Sequence, residues 1–167
     1  AVVGIDLPGH GGSPDAADGS VAALADGVIA AIAQTATGGP WILCGHSMGG
    51  KIATLLAARS RDGVRGLAGL AGVVLVAASP PCPEPMEEAR RQEMLGWFAQ
   101  GAPSRADAET FIDANTHRPL QGIAREAAIG DVLRTDAIAW RAWLEQGSRA
   151  HRQEQAARLH VPALILA

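Results

Sequence analysis

The chain has 167 residues, of which 48% are hydrophobic and 19% charged, and its formal net charge is −3. This length supports one domain with a hydrophobic core, and the weakly acidic balance without a Lys/Arg cluster argues against a nucleic-acid-binding surface. No apolar run reaches the roughly 18 residues that a membrane span needs. The two cysteines, Cys44 and Cys82, lack metal-ligand spacing and are interpreted as reduced thiols of a cytoplasmic protein, Cys44 as a small buried residue.

The first predicted element is a strand at Val2–Asp6. It runs into a Gly/Pro-rich loop over residues 7–15. A helix starts near Ser20, whose hydroxyl suits an N-cap. Its apolar residues recur at helical spacing, at Val21, Leu24, Val28, Ile29 and Ile32.

The next elements continue this alternation. Trp41–Cys44 is predicted as the second strand and residues 51–59 as the second helix. Gly72–Ala77 is the third strand and is apolar throughout, as strands buried on both faces are. Residues 160–167 form the fourth. The pattern predicts an α/β fold with a parallel sheet of about four strands.

A long helical pattern interrupts the sheet. It divides the chain into a core (1–79), a helical cap insertion (80–159) and a returning strand (160–167). The cap opens with the proline-rich "SPPCPEP", which favours an extended exit from the sheet. Its aromatic residues are candidates for an apolar acyl pocket, namely Trp97, Phe98, Trp140 and Trp143. The alternative is that they form only the cap's own small core.

The turn between the second strand and second helix reads Gly-x-Ser-x-Gly over Gly45–Gly49, with His46 and Met48 flanking Ser47. A serine in this strand–turn–helix context is typical of a nucleophile elbow. We expect a strained backbone at Ser47 and glycines at 45 and 49 because side chains there would not fit. The Met48 N–H would stabilise an oxyanion at the start of the helix. The alternative is a glycine-rich turn with an incidental serine.

Two motifs carry a family resemblance. "GIDLPGHGGS" followed by "GHSMGG", with "VVLVAASPP" and "HVPALILA" later, resembles the α/β-hydrolase superfamily in its esterase and haloperoxidase-like branches. The resemblance implies that the four strands are the fourth to seventh of an eight-stranded sheet. It also implies Ser47 as nucleophile, Met48 N–H as half of the oxyanion hole, and no metal or organic cofactor. A serine at this position argues against the dehalogenase and epoxide hydrolase branches.

The same resemblance implies that functional parts lie outside this sequence. The triad acid and base would follow Ala167, and the second oxyanion donor would precede Ala1. The chain is therefore expected to be an internal piece of a longer protein. Its first strand would pair directly with Trp41–Cys44 or remain free, leaving unpaired strand edges.

The five histidines are the alternative bases that this sequence contains. His10 is expected to order its loop through a hydrogen bond, and it is also a candidate pocket residue. His46 is adjacent to the nucleophile, but the elbow directs its side chain elsewhere. His117 is expected to be exposed in the cap, whereas His151 and His160 flank the last helix and strand.

Two charged residues, Asp6 and Lys51, are the other candidates for a triad acid and a base. Asp6 is expected to be a buried, hydrogen-bonded structural carboxylate, and Lys51 a solvated or salt-bridged side chain. The sequence thus favours a serine hydrolase acting on a small-molecule acyl substrate, with its oligomeric state open. A carbon–carbon bond hydrolase or cofactor-free perhydrolase on the same fold, or a non-catalytic member that binds a small ligand, remains the alternative.

Overall fold

The structure, a computed structural model, describes residues 1–13, 18–35 and 38–167. Its centre is a parallel sheet of three strands, which lie in chain order across the sheet. The strands are β1 (Trp41–His46), β2 (Leu70–Val76) and β3 (Ala163–Leu166). The α/β class and the parallel sheet are confirmed, with three strands where about four were expected.

The difference lies at the start of the chain, where Val2–Asp6 forms no strand. Val2 is fully exposed, whereas Ile5 and Leu7 are half-buried against the hydrophobic core. An extended segment needs a neighbouring strand to satisfy its backbone groups, and β1 pairs only with β2 among the described residues. The segment therefore remains free. The predicted loop after it ends at Pro14 and Asp15, which lie outside the described residues.

Two helices cover one face of the sheet and build the main core. These are α1 (Val21–Thr35) and α2 (Met48–Arg59). Ser20 caps α1 as predicted, because its Oγ accepts a hydrogen bond from the Ala23 N–H at 3.2 Å. The buried side chains between the helices include Leu24, Val28, Ile32, Ile52, Leu55 and Leu56. Each such side chain contributes about 1.5–3 kcal/mol to folding, so these helices hold β1 and its following turn firmly.

The opposite face of the sheet is open. Cys44 lies there, in a row with its register partner Val74 and, one strand further, Leu164. The prediction that Cys44 is buried is wrong, since it is exposed. No helix within the described residues covers this row, and Leu164 is 54% exposed. For the same reason β2 is not buried along its whole length: Gly72, Val73 and Leu75 are buried, and Val73 and Leu75 pack with Ala53 and Ala57 of α2.

The remaining α-helices lie within residues 80–159, the segment predicted as a cap insertion, which we call the cap. They are α3 (Glu88–Gly96), α4 (Arg105–Ala114), α5 (Gly122–Leu133), α6 (Ala137–Ala142) and α7 (Gln153–Ala156), with a π-helical turn at Trp143–Gly147 after α6. Ser104 and Asp107 form a capping box that starts α4. No helix in the described part of the chain has the length and apolar character needed to cross a membrane.

Candidate active site

Ser47 lies in a sharp turn between β1 and α2. Its φ is 49° and its ψ is −123°, a strained conformation for a residue with a side chain. The backbone is held from β2, because the Ser47 N–H donates to Val76 O at 3.1 Å and Ser47 O accepts from Ser79 N–H at 2.9 Å. Although Ser47 is the N-cap of α2, its side chain makes no capping bond. The hydroxyl is therefore available at an exposed position.

Two glycines make this turn possible. A Cβ on Gly45 would lie 2.3 Å from Gly49 O and 2.8 Å from Ala53 Cβ, so α2 passes too close for any side chain. A Cβ on Gly50 would lie 2.3 Å from Ala78 Cβ. Gly49 has open space around it, and the expectation that it must lack a side chain is wrong. The position where α2 comes close to the residues after β2 is Gly50 and not Gly49, because the helix turns position 50 towards Ala78.

A cavity of about 400 Å³ opens beside Ser47, within the size range of small-molecule sites. One wall is the end of β2, at Ala77, Ala78 and Ser79. Ala77 has a φ of 39°, so the chain is strained here as well as at Ser47. The cavity thus lies at the carboxyl ends of the adjacent parallel strands β1 and β2. Open α/β sheets bind their ligands at this end of the strands.

The outer wall comes from the residues that lead into the cap. We call residues 79–87 the outgoing segment; the lining residues in it or just beyond it are Ser79, Pro80, Glu84, Pro85, Met86, Glu87 and Arg90. Arg90 is paired with Glu93 at 2.8 Å and lies over the Trp97 ring at 4.9 Å. Its charge is therefore already balanced, and the rest of this wall combines apolar surface with two carboxylates.

Ser79 is a site residue that sequence reasoning missed. It is 6% exposed, and its Oγ finds no hydrogen-bond partner among the described residues. A buried hydroxyl without a partner is unfavourable, and such groups are uncommon in folded proteins. The sequence carries no signal for this, since Ser79 differs in no way from a serine in an ordinary loop.

The candidate pocket residues from the sequence lie elsewhere. Within the described structure, the lining of this cavity includes none of His10, Trp97, Phe98, Trp140 and Trp143. Phe98 and Trp140 are buried in the cap, with their rings stacked 4.8 Å apart. They form a cluster with Met94 and Leu144, against which Trp97 and Trp143 pack. This is the alternative in which the aromatic residues form the cap's own core.

His10 orders its loop, as expected. Its Nδ1–H donates to Pro8 O at 3.1 Å, and the Gly9 carbonyl accepts from the Asp136 N–H at the start of α6. Burial lowers the pKa of His10, while the Pro8 carbonyl and the charges of Asp136 and Asp6 raise it.

The other histidines are exposed, at His46, His117, His151 and His160. Asp6 is hydrogen-bonded as predicted, because its Oδ2 accepts from Gly12 N–H at 2.9 Å. It is not buried, however, because the strand that would have placed it inside the core does not form. None of these residues is among those lining the cavity in the part of the chain that the structure describes.

Lys51 departs furthest from its prediction. It is 1% exposed, and its ammonium donates to main-chain carbonyls instead of facing solvent. Burial lowers the pKa of Lys51, while the nearby charge of Glu84 raises it. The carbonyl partners come from the cap, which the local pattern of α2 does not reveal.

The comparisons with known proteins concern the family and the fold of the chain. A model of the family described as "Alpha/beta hydrolase family" matches residues 1–166. The chain is 37% identical, over 97 residues, to the pimeloyl-[acyl-carrier protein] methyl ester esterase of Neisseria meningitidis serogroup B. That match covers 58% of this chain and 36% of the relative, so it spans about a third of the relative's length.

Two solved structures share the fold. An esterase from Exiguobacterium antarcticum superposes with a TM-score of 0.76 at 16% identity, covering 97% of this chain and 60% of that one. A bromoperoxidase from Bacillus anthracis has a TM-score of 0.75 at 16% identity, covering 96% of this chain and 60% of that one. At this identity the likeness concerns the fold alone, and both structures are longer than this chain.

Proposed function

The chain belongs to the alpha/beta hydrolase family, and we propose that it supplies the nucleophile and the acyl-binding cavity of a serine hydrolase. The substrate would be a carboxylic ester or a related acyl compound. The observation that carries the proposal is Ser47, held in a strained turn beside a cavity of about 400 Å³ with its hydroxyl uncommitted. The name of the Neisseria meningitidis relative, a methyl ester esterase, supports an ester as substrate.

The reaction would proceed by acyl transfer. Ser47 Oγ attacks the acyl carbon while a base removes the hydroxyl proton, and the carbonyl oxygen becomes an oxyanion. Met48 is the first residue of α2, so its N–H has no partner within the helix and is available to the oxyanion. The helix dipole favours negative charge at the same point. The intermediate then expels the alcohol, and water hydrolyses the acyl-enzyme.

The described lining of the cavity includes no evident base to remove the Ser47 hydroxyl proton. A serine hydroxyl is a weak nucleophile near neutral pH without one. No histidine is among the described lining residues, which offer only the carboxylates of Glu84 and Glu87. We therefore expect a polypeptide of residues 1–167 alone to show no turnover of a p-nitrophenyl ester. Turnover that Ser47→Ala abolished would contradict this and assign the base to a residue described here.

A covalent probe tests the nucleophile in the full-length polypeptide that contains residues 1–167. A fluorophosphonate should label Ser47, as identified by mass spectrometry of the peptide, and Ser47→Ala should remove both the label and esterase activity. Ser60→Ala is the matched control, since Ser60 ends the same helix and its Oγ donates to Ala57 O at 2.8 Å. Labelling elsewhere, or hydrolysis that persists in Ser47→Ala, would refute the proposal.

Two alternatives use the same fold. A carbon–carbon bond hydrolase or a cofactor-free perhydrolase would also label at Ser47, but would prefer a diketone or would form a peracid from hydrogen peroxide. Profiling the full-length protein on esters, diketones and peroxide with acetate separates these reactions. A non-catalytic protein that binds a small apolar ligand would show no labelling at all.

A further inference from the structure

Lys51 lies one turn after Met48 on α2, fully inside the protein. Its three N–H donors are shared among four main-chain carbonyls, at Gly147 (3.1 Å from Nζ), Cys82 (3.2 Å), Ala150 (3.3 Å) and Ser148 (3.4 Å). The ammonium also lies 5.7 Å from the centre of the Trp143 ring. Burying a charge is costly unless it is fully hydrogen-bonded, so this many partners indicate a specific site for the charge.

The carbonyls belong to two segments that are far apart in the sequence. Cys82 is in the outgoing segment, and the other three are in residues 147–152, which we call the return segment. The two segments are also joined directly, since the Glu84 N–H donates to Ser148 O at 2.8 Å and the Arg152 N–H to Pro81 O at 2.6 Å. Lys51 thus connects both crossings between core and cap to the nucleophile helix.

The negative ends of main-chain dipoles explain why a cation fits here. The π-helical turn Trp143–Gly147 ends at the return segment, and the last carbonyls of a helix have no donor within the helix and carry partial negative charge. A second buried cation serves the same turn, because Arg91 donates to Leu144 O and, at 2.6 Å, to Ser148 Oγ. Arg91 donates to this turn and lies 3.5 Å from Glu88 of its own helix, whereas Lys51 reaches both the outgoing and the return segment.

The outgoing segment forms the wall of the cavity beside Ser47. Pro80, Glu84, Pro85 and Met86 line the cavity on either side of Cys82, whose carbonyl binds Lys51. We propose that Lys51 is a positioning residue that fixes this wall at its distance from the nucleophile and so determines how long an acyl group the site binds. The inference rests on the serine hydrolase function proposed above.

Kinetics of Lys51→Met in the full-length protein test the proposal, since methionine keeps most of the side-chain length and removes the donors. We expect a short acyl group to make few contacts with the wall, so the constants for p-nitrophenyl acetate should stay within about twofold. For p-nitrophenyl hexanoate we expect KM to rise about tenfold with kcat little changed, because only binding to the wall is weakened. Equal losses on both esters, or none, would overturn the proposal.

Ser148→Ala is the matched control. It removes the buried bond from Arg91 but leaves the carbonyls that Lys51 binds, so it should lower stability without changing the preference between the two esters. If Lys51→Met does not fold, Lys51→Gln retains two N–H donors on a shorter, uncharged side chain and should show a smaller loss, again confined to the longer ester. A shift in ester preference in Ser148→Ala as large as that in Lys51→Met would also overturn the proposal.

Hydrogen exchange gives a readout that does not depend on catalysis. In Lys51→Met the amide of Glu84, which bonds to the return segment, should exchange about tenfold faster than in the wild type. Unchanged exchange there would refute the positioning role even if Ser47 proved unreactive. Absent fluorophosphonate labelling with faster exchange would instead refute the hydrolase function and leave the connection made by Lys51 supported.

Discussion

Replacing each of the three glycines around Ser47 with alanine should change the free energy of unfolding by different amounts: two replacements should lower it and one should raise it. In Gly45→Ala the added Cβ would lie 2.3 Å from Gly49 O and 2.7 Å from Gly49 C, which are backbone atoms and cannot move without shifting α2. Overpacking of this kind costs about 1–3 kcal/mol. Gly50→Ala should lose a similar amount, because its Cβ would lie 2.8 Å from Ala78 Cα. Gly49→Ala meets nothing within 4 Å and replaces a helical glycine, so it should gain about 0.5–1 kcal/mol.

Equilibrium urea unfolding of the full-length protein, followed by circular dichroism, measures these differences. Gly49→Ala should raise the midpoint and Gly45→Ala should lower it, at an unchanged slope with urea. The two variants should then differ by about 1.5–4 kcal/mol in the free energy of unfolding. Equal destabilisation at positions 45 and 49 would refute the packing argument, since it would mean that the motif requires both of its glycines.

Three further variants test the surroundings of the site. Ser79→Ala removes a buried hydroxyl without a partner among the described residues and should raise the free energy of unfolding by about 1 kcal/mol. A lower free energy of unfolding in a urea titration would show that the hydroxyl is paired. Burial holds the pKa of His10 below 6.5, so the unfolded chain binds more protons and stability should fall as pH drops below 6.5. Thermal unfolding from pH 8 to pH 5 should show a smaller fall in His10→Gln, and parallel curves would exclude this role. Trp140→Phe keeps an aromatic ring but loses the 2.8 Å bond from Nε1 to Met94 O, and should lower stability by about 1 kcal/mol in urea unfolding, whereas no change would contradict a net contribution from that bond.

Local features were the most predictable. Ser20 starts α1, and the turn at Ser47 has the strained backbone that the motif indicated. Both are indicated by residues within four positions of one another in the sequence, although bonds to Val76 and Ser79 also hold the backbone of Ser47. The strand at Val2–Asp6 was wrong for the opposite reason, because an apolar run becomes a strand only beside a partner.

The sequence by itself determined the order of β1–β3 and the helices between them, the parallel sheet and the place of the candidate nucleophile, since periodicity and short motifs act through neighbouring residues. The tertiary structure decided what each side chain meets. It placed the aromatic cluster of Trp97, Phe98 and Trp140 in the cap's own core, put Pro80 and residues 84–86 at the cavity wall, and brought carbonyls 31 and 96 positions away to Lys51. Contacts over such separations depend on how the packed elements fit together, and no single segment carries that information.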